Sequence, residues 1–131
     1  MAPFLITCHV LNTIDGKPAD GVRAVLTLLS PFVSIDQKTT PFKFEAVTDA
    51  DGRVKEWVGD VHPTVQHVVD HIMDKKTAWS IKFDIGSWYE DRKIESFWPE
   101  VEVKFYVQKG VAHYHVPVLV GPFSYTSYRG S

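Results

Sequence analysis

Alternation of apolar and polar residues over short runs constrains this chain more than any other feature of its sequence. In the run EVEVKFYV, the residues Val101, Val103, Phe105 and Val107 share one side of an extended strand, and charged residues occupy much of the other side. This pattern is typical of half-buried strands, because successive side chains in a strand point to opposite faces of the sheet. Similar runs recur along the chain and are separated by turn-forming Gly, Asp and Pro residues. The pattern predicts an all-β fold.

Seven or eight short strands are expected in total, with one or two short helices between them. The segment 63–73, PTVQHVVDHIM, interrupts the alternation, because its apolar residues recur at helical spacing. A further one or two helical turns are possible in the segment 86–94, GSWYEDRKI. With 131 residues, the chain is long enough for one core. We therefore expect a single domain, 1–131, built as a two-sheet β-sandwich.

Charge and cysteine content exclude several classes of function and location. Fourteen basic and sixteen acidic residues give a net charge of −2, without a basic cluster, which argues against nucleic acid or an anionic membrane as partner. No apolar run approaches the roughly 20 residues of a membrane-spanning helix, and the first residues do not resemble a secretory signal. The single cysteine, Cys8, excludes an internal disulfide and is expected to be a small core residue. A cytoplasmic location is expected, and a peroxisomal one stays open.

Several histidines and one arginine are candidates for chemistry, although each has an ordinary interpretation as well. His113 and His115 are two residues apart, so on a strand both side chains project from the same face. They can bind a metal, share a proton or simply face water. His9 on the first predicted strand lies opposite the apolar face, and Arg53 directly follows the turn sequence DADG. Taken singly, both are typical of solvated surface positions.

The pair His67 and His71 has the spacing that places two metal ligands on one helical face. A zinc-protease motif requires a Glu directly after the first His, and Val68 stands there instead. No third ligand follows at motif spacing. The pair is therefore interpreted as polar positions on an amphipathic helix, and no metal site is expected.

Four stretches taken together carry a more specific indication: HVLNTIDGKPADGV, TDADGRV, ESFWPEVEVKF and HYHVPVLVGPFSYTSYRGS, in this order. Across nearly the whole chain they resemble the 5-hydroxyisourate hydrolases of the transthyretin-like family, with YRGS as the most specific element. The resemblance implies a sandwich of about eight strands, assembled as a homotetramer with substrate sites at the dimer–dimer interface. It also implies hydrolysis of 5-hydroxyisourate to 2-oxo-4-hydroxy-4-carboxy-5-ureidoimidazoline in urate degradation. Neither a metal nor another cofactor is expected, because the ring is already activated.

The resemblance also assigns the site. The catalytic residues it implies are His9, Arg53, His115 and Ser131. The substrate-binding residues it implies are His113, Tyr128, Arg129 and Gly130. Imidazole has a suitable pKa for general acid–base work at neutral pH, and a guanidinium can stabilise a developing oxyanion. Which of the two catalytic histidines is the base stays open. The competing interpretation is a non-catalytic transthyretin-like carrier of small ligands.

Overall fold

Two five-stranded sheets, a separate two-stranded pair and two short helices make up the computed structural model, which describes residues 4–30, 34–35, 38–39, 42–59, 64–71 and 75–131. The strands are β1 (Ile6–Asn12), β2 (Lys17–Pro18), β3 (Arg23–Ser30), β4 (Ser34–Ile35), β5 (Lys38–Thr39), β6 (Lys43–Val47), β7 (Arg53–Val54), β8 (Val58–Gly59), β9 (Lys76–Phe83), β10 (Val101–Gln108), β11 (Tyr114–Val120) and β12 (Tyr125–Ser127). The helices are α1 (Val65–His71) and α2 (Ile85–Glu90).

The first sheet brings together strands from the two ends of the sequence. Its order is β12-β11-β1-β2, and β7 also pairs with β1. Strands β1 and β11 run parallel, whereas the other pairs of this sheet are antiparallel. The second sheet has the order β10-β9-β3-β6-β8 and is antiparallel throughout. Strands β4 and β5 pair antiparallel with each other as a separate two-stranded sheet.

The core lies between the inward faces of the two sheets. On β1 the buried side chains of Ile6, Cys8 and Val10 alternate with residues on the opposite face. The second sheet contributes large, fully buried side chains from β9, among them Trp79 and Phe83. The structure therefore confirms the expected all-β, two-sheet sandwich, and it confirms Cys8 as a core residue.

Both expected helical segments are present but short. The apolar residues of α1, Val65, Val68 and Val69, are buried, as the helical spacing predicts. Positions 63, 72 and 73 of the predicted helix lie outside the described residues. Helix α2 buries Tyr89, whose single hydroxyl proton lies between two acceptors, Asn12 Oδ1 at 2.7 Å and the Val120 carbonyl at 3.1 Å. Among the described residues, no helix is long and apolar enough to cross a membrane.

Candidate active site

A tight turn before β7 sets the position of Arg53. The Asp49 carboxylate accepts hydrogen bonds from the backbone N–H of Asp51 at 2.9 Å and from that of Arg53 at 3.0 Å. These bonds lower the pKa of Asp49, because they stabilise its ionised form. Gly52 has a φ of +74°, and a Cβ there would overlap the carbonyl oxygen of Val10. The glycine therefore lets the turn lie directly against β1.

Strand pairing then places Arg53 beside His9. The two residues are opposite each other in the antiparallel pairing of β1 with β7, so both side chains project from the outer face of the first sheet. Arg53 is exposed and His9 is half-buried. The Nε2 atom of His9 lies 2.8 Å from the carbonyl oxygen of Asp51. Since a carbonyl only accepts, His9 carries a proton on Nε2 and donates this bond.

His115 reaches the same face from the neighbouring strand. It lies opposite Thr7 in the parallel pairing of β1 with β11, and its Nδ1 atom is 2.7 Å from the Thr7 hydroxyl oxygen. The ring centroids of His115 and His9 are 6.5 Å apart. The His113 ring, just before β11, lies 6.2 Å from His115 and is inclined to it by only 17°. Two separate parts of the sequence therefore supply a cluster of three imidazoles and one guanidinium.

The surroundings of the cluster favour neutral imidazoles. Partial burial lowers the pKa of His115 below its ordinary value, and the charges of Arg53, His113 and His9 lower it further. Partial burial and the Arg53 guanidinium also lower the pKa of His9, although its bond to the Asp51 carbonyl acts in the opposite direction. Both rings consequently hold a free lone pair at neutral pH. That is the state in which an imidazole can accept a proton from water.

The terminal segment continues the β11–β12 ladder up to Gly130. Val118 pairs with Ser127, and in the same register His115 pairs with Gly130, whose N–H donates to the His115 carbonyl at 2.9 Å. A Cβ at Gly130 would lie 2.6 Å from Cδ2 of the His115 ring and 3.0 Å from Cγ of Pro117. Gly130 is thus required to be small where the terminal segment passes the imidazole.

The other residues of the YRGS sequence are placed differently. The Arg129 guanidinium lies 5.1 Å from the centroid of the Tyr114 ring, a core-facing residue of β11. Arg129 and Tyr128 line a cavity of about 330 Å³ between β10 and the β11–β12 edge, which His115 also borders. Ser131 is exposed and directly follows Gly130. The structure thus brings Gly130 against His115, whereas Arg129 turns toward the gap between the sheets.

The remaining candidates, His67, His71 and Cys8, lie outside this cluster or have low reactivity. His67 and His71 stack on the exposed face of α1 with centroids 3.8 Å apart, away from the apolar side of the helix. Within the ranges that the structure describes, no three His, Cys, Asp or Glu residues gather as metal ligands. Burial raises the pKa of the Cys8 thiol to about 12, so it is not a ready nucleophile.

One residue that contacts the site was missed in the sequence. Thr7 is buried, and its hydroxyl lies between the rings of His113 and His115. The available signal was its position two residues before His9, which places both side chains on the same strand face. A lone threonine on a strand is nevertheless too common to single out.

Comparison with known proteins identifies a family and several relatives of this chain. The model of the HIUase/Transthyretin family matches residues 6–130. A probable 5-hydroxyisourate hydrolase of Schizosaccharomyces pombe is 35% identical over 126 residues, covering 96% of this chain and 90% of the relative. The 5-hydroxyisourate hydrolase of Mus musculus is 35% identical over 127 residues, covering 96% and 94%.

The fold is shared with a transthyretin of known structure as well. Transthyretin from Sparus aurata superposes with a TM-score of 0.71 at 23% identity, covering 99% of this chain and 97% of that one. At this identity the likeness describes the fold and not the activity. From the family match and the two relatives, the chain belongs to the HIUase/Transthyretin family.

Proposed function

We propose that this protein hydrolyses 5-hydroxyisourate in the degradation of urate, opening the ring to give 2-oxo-4-hydroxy-4-carboxy-5-ureidoimidazoline. The observation that carries the proposal is the convergence of His9, Arg53 and His115 from three strands on one outer sheet face. The 35% identity to 5-hydroxyisourate hydrolases over nearly the full chain supports the same substrate.

The site residues divide the hydrolysis of a cyclic amide between them. One imidazole removes a proton from water as the water oxygen attacks the ring carbonyl carbon, and a proton is then delivered to the departing nitrogen. The Arg53 guanidinium stabilises the negative charge that develops on the carbonyl oxygen, and its planar donors suit a ring with several carbonyl groups. Together with partial burial, which is the larger cause, its charge lowers the pKa of the neighbouring imidazoles and so favours the unprotonated state of a general base.

The residues of the YRGS sequence are assigned to substrate binding and closure of the site. Gly130 lies against the His115 ring, and Ser131 follows it at the same edge. We assign Ser131 to the catalytic group and Tyr128, Arg129 and Gly130 to substrate binding, as the family resemblance implies. The resemblance also places His113 in the binding group, but both of its ring nitrogens lie within hydrogen-bond distance of protein groups, so we assign it a supporting role instead.

Assembly into a homotetramer, with the sites at the dimer–dimer interface, is part of the same proposal. Arg53 is exposed on an open sheet surface, and Leu11 and Leu119 are only half-buried on that surface. A second copy placed over this face would exclude water and strengthen the electrostatic interactions in the site. Light scattering during size-exclusion chromatography tests the assembly, and a monomer with full activity would contradict it.

The activity is tested by following the decay of freshly generated 5-hydroxyisourate. Urate oxidase produces the unstable compound in the cuvette, and the purified protein is added while its absorbance is monitored. We expect decay well above the spontaneous rate, and a loss of about 10²-fold or more in the variants H9A, R53A and H115A. The matched control is H67A on the exposed face of α1, which should retain activity. If the protein did not accelerate the decay, the carrier function would be favoured instead. If H9A, R53A and H115A were as active as H67A, the assigned site would be wrong.

A further inference from the structure

A chain of hydrogen bonds connects His115, through Thr7 and His113, to the carbonyl of Phe4. The carbonyl oxygen of Phe4 lies 2.7 Å from Nδ1 of His113. Nε2 of His113 is 3.4 Å from the Thr7 hydroxyl, and that hydroxyl is 2.7 Å from Nδ1 of His115. Thr7 is buried and both rings are half-buried, so water has restricted access to the Thr7 hydroxyl, whereas the bond between His113 and the Phe4 carbonyl is exposed.

The direction of each bond follows from which atoms can donate. The Phe4 carbonyl only accepts, so His113 must carry its proton on Nδ1. In neutral His113 the other nitrogen, Nε2, then only accepts. For both Thr7 contacts to be hydrogen bonds with neutral rings, the single hydroxyl proton of Thr7 must point to that nitrogen, and the hydroxyl oxygen then accepts a bond from Nδ1–H of His115.

We propose that Thr7 and His113 are positioning residues that hold neutral His115 in the tautomer protonated on Nδ1, so that its Nε2 is the general base for water. This rests on the proposed hydrolysis of 5-hydroxyisourate. The chain Phe4 carbonyl, His113, Thr7 and His115 leaves Nε2 of His115 as the only polar atom of that ring without a hydrogen-bond partner among the described residues. Nε2 lies on the far side of the ring from the backbone, so on a strand it projects away from the sheet toward a substrate.

His9 is bonded in the opposite sense. Its Nε2–H donates to the Asp51 carbonyl, so its free nitrogen is Nδ1, next to the side-chain stem and close to the sheet. His9 is therefore suited to orienting substrate or water from the side. The geometry assigns the removal of the proton from water to His115.

The donor–acceptor direction of these hydrogen bonds depends on whether Nε2 of His113 carries a proton. If His113 is protonated, its Nε2–H donates to the Thr7 hydroxyl, and the hydroxyl proton turns toward Nδ1 of His115. Neutral His115 would then carry its own proton on Nε2 and lose its basic function at the tip of the ring. The charged or titratable groups around His115 are Arg53, His9 and His113, and all three disfavour a charge on it. Activity is thus expected to fall with acid as His115 gains a proton.

The tautomer is tested directly by long-range ¹H–¹⁵N correlation spectra of protein labelled with ¹⁵N-histidine, recorded without substrate above the titration of the three rings. We expect neutral His115 to be protonated on Nδ1 in the wild-type protein and in T7S. T7V removes the hydroxyl that accepts the bond from Nδ1–H of His115, and H113A removes the group that orients this hydroxyl. In both variants a substantial fraction of neutral His115 should be protonated on Nε2. An Nε2-protonated His115 in the wild-type protein would overturn the proposal, whatever the activity.

Kinetics provide the second measurement. Replacing the hydroxyl in T7V should lower kcat by about 10- to 100-fold with little change in KM, since only the base is impaired. T7S, which keeps the hydroxyl, should stay within about threefold of the wild type. A T7V protein with wild-type kcat and an unchanged pH profile would refute the role of Thr7. Absence of turnover in a wild-type protein with the expected tautomer would instead refute the proposed hydrolysis and leave the tautomer assignment standing.

Discussion

Replacing Gly130 by alanine should impair catalysis while leaving the fold nearly intact. The Cβ of alanine would lie 2.6 Å from Cδ2 of His115, whereas ordinary contact begins at 3.4 Å. The ring or the terminal segment must therefore move by about 0.8 Å, a displacement for which losses approaching 10²-fold are typical when a catalytic group is involved. We expect kcat/KM for 5-hydroxyisourate to fall by about 10- to 100-fold.

The stability of this variant should change much less than its activity. The terminal segment lies at the edge of its sheet, and the Gly130 N–H makes one backbone bond to the His115 carbonyl. Detachment of that bond costs about 1 kcal/mol, which sets the scale of the loss if the segment moves away. Chemical denaturation should show a loss of this order in the free energy of unfolding, and the spectroscopic signals of the buried aromatic residues should be unchanged.

A matched control separates the contact from the effect of adding a methyl group to a glycine. Gly16 lies in the turn after β1, with a φ of +70° and nothing within 4 Å of a Cβ. G16A is expected to lose about 1–2 kcal/mol from backbone strain and to keep its activity. Wild-type kcat/KM in G130A, or equal losses of activity in both variants, would refute the reasoning.

Three further predictions concern charge, thiol chemistry and a buried hydroxyl. In R53Q the acid limb of the kcat/KM profile should move to higher pH. The guanidinium lowers the pKa of both site histidines, so without it they become protonated, and inactive, at a higher pH. An unmoved limb would contradict this effect of Arg53. Cys8 should resist alkylation in the native protein at pH 8 and react after unfolding, because burial raises its pKa to about 12; rapid native labelling would show an accessible thiol. Y89F should lower the free energy of unfolding by about 1 kcal/mol in urea titrations, since the buried hydroxyl bond is lost while Asn12 Oδ1 and the Val120 carbonyl each keep a backbone donor; an unchanged midpoint would exclude that contribution.

Much of the sandwich could be predicted because alternation in a strand reflects burial directly. The residues Val101 and Val107 of β10 and the apolar face of β1 are buried as the pattern indicates. Strand ends are less predictable: Phe4 fits the alternation of β1, yet it is exposed and lies outside the strand. Side-chain pattern alone does not reveal where a hydrogen-bonded ladder stops.

The site could be predicted only in part, because its members are brought together by pairing between distant strands. The resemblance supplied His9, Arg53 and His115, but alternation alone left each of them as an ordinary surface residue. The spacing of Thr7 from His9 places it on the same strand face but does not single it out, and a backbone carbonyl such as that of Phe4 leaves no trace in the sequence. Their contacts with His113 depend on the register of β1 against β11, which only the folded structure provides.

The parallel pairing of β1 with β11 has a consequence for how this protein is made. Thr7 and His115 are 108 positions apart in the sequence, so their contact closes a loop that spans most of the chain. Contacts of this range are entropically costly to form early, and they slow folding. On a ribosome, β1 must wait without its partner until residues 114–120 emerge, leaving one edge of a forming sheet open to other chains. Catalytic competence should therefore appear last during synthesis, together with protection of β1 from proteases.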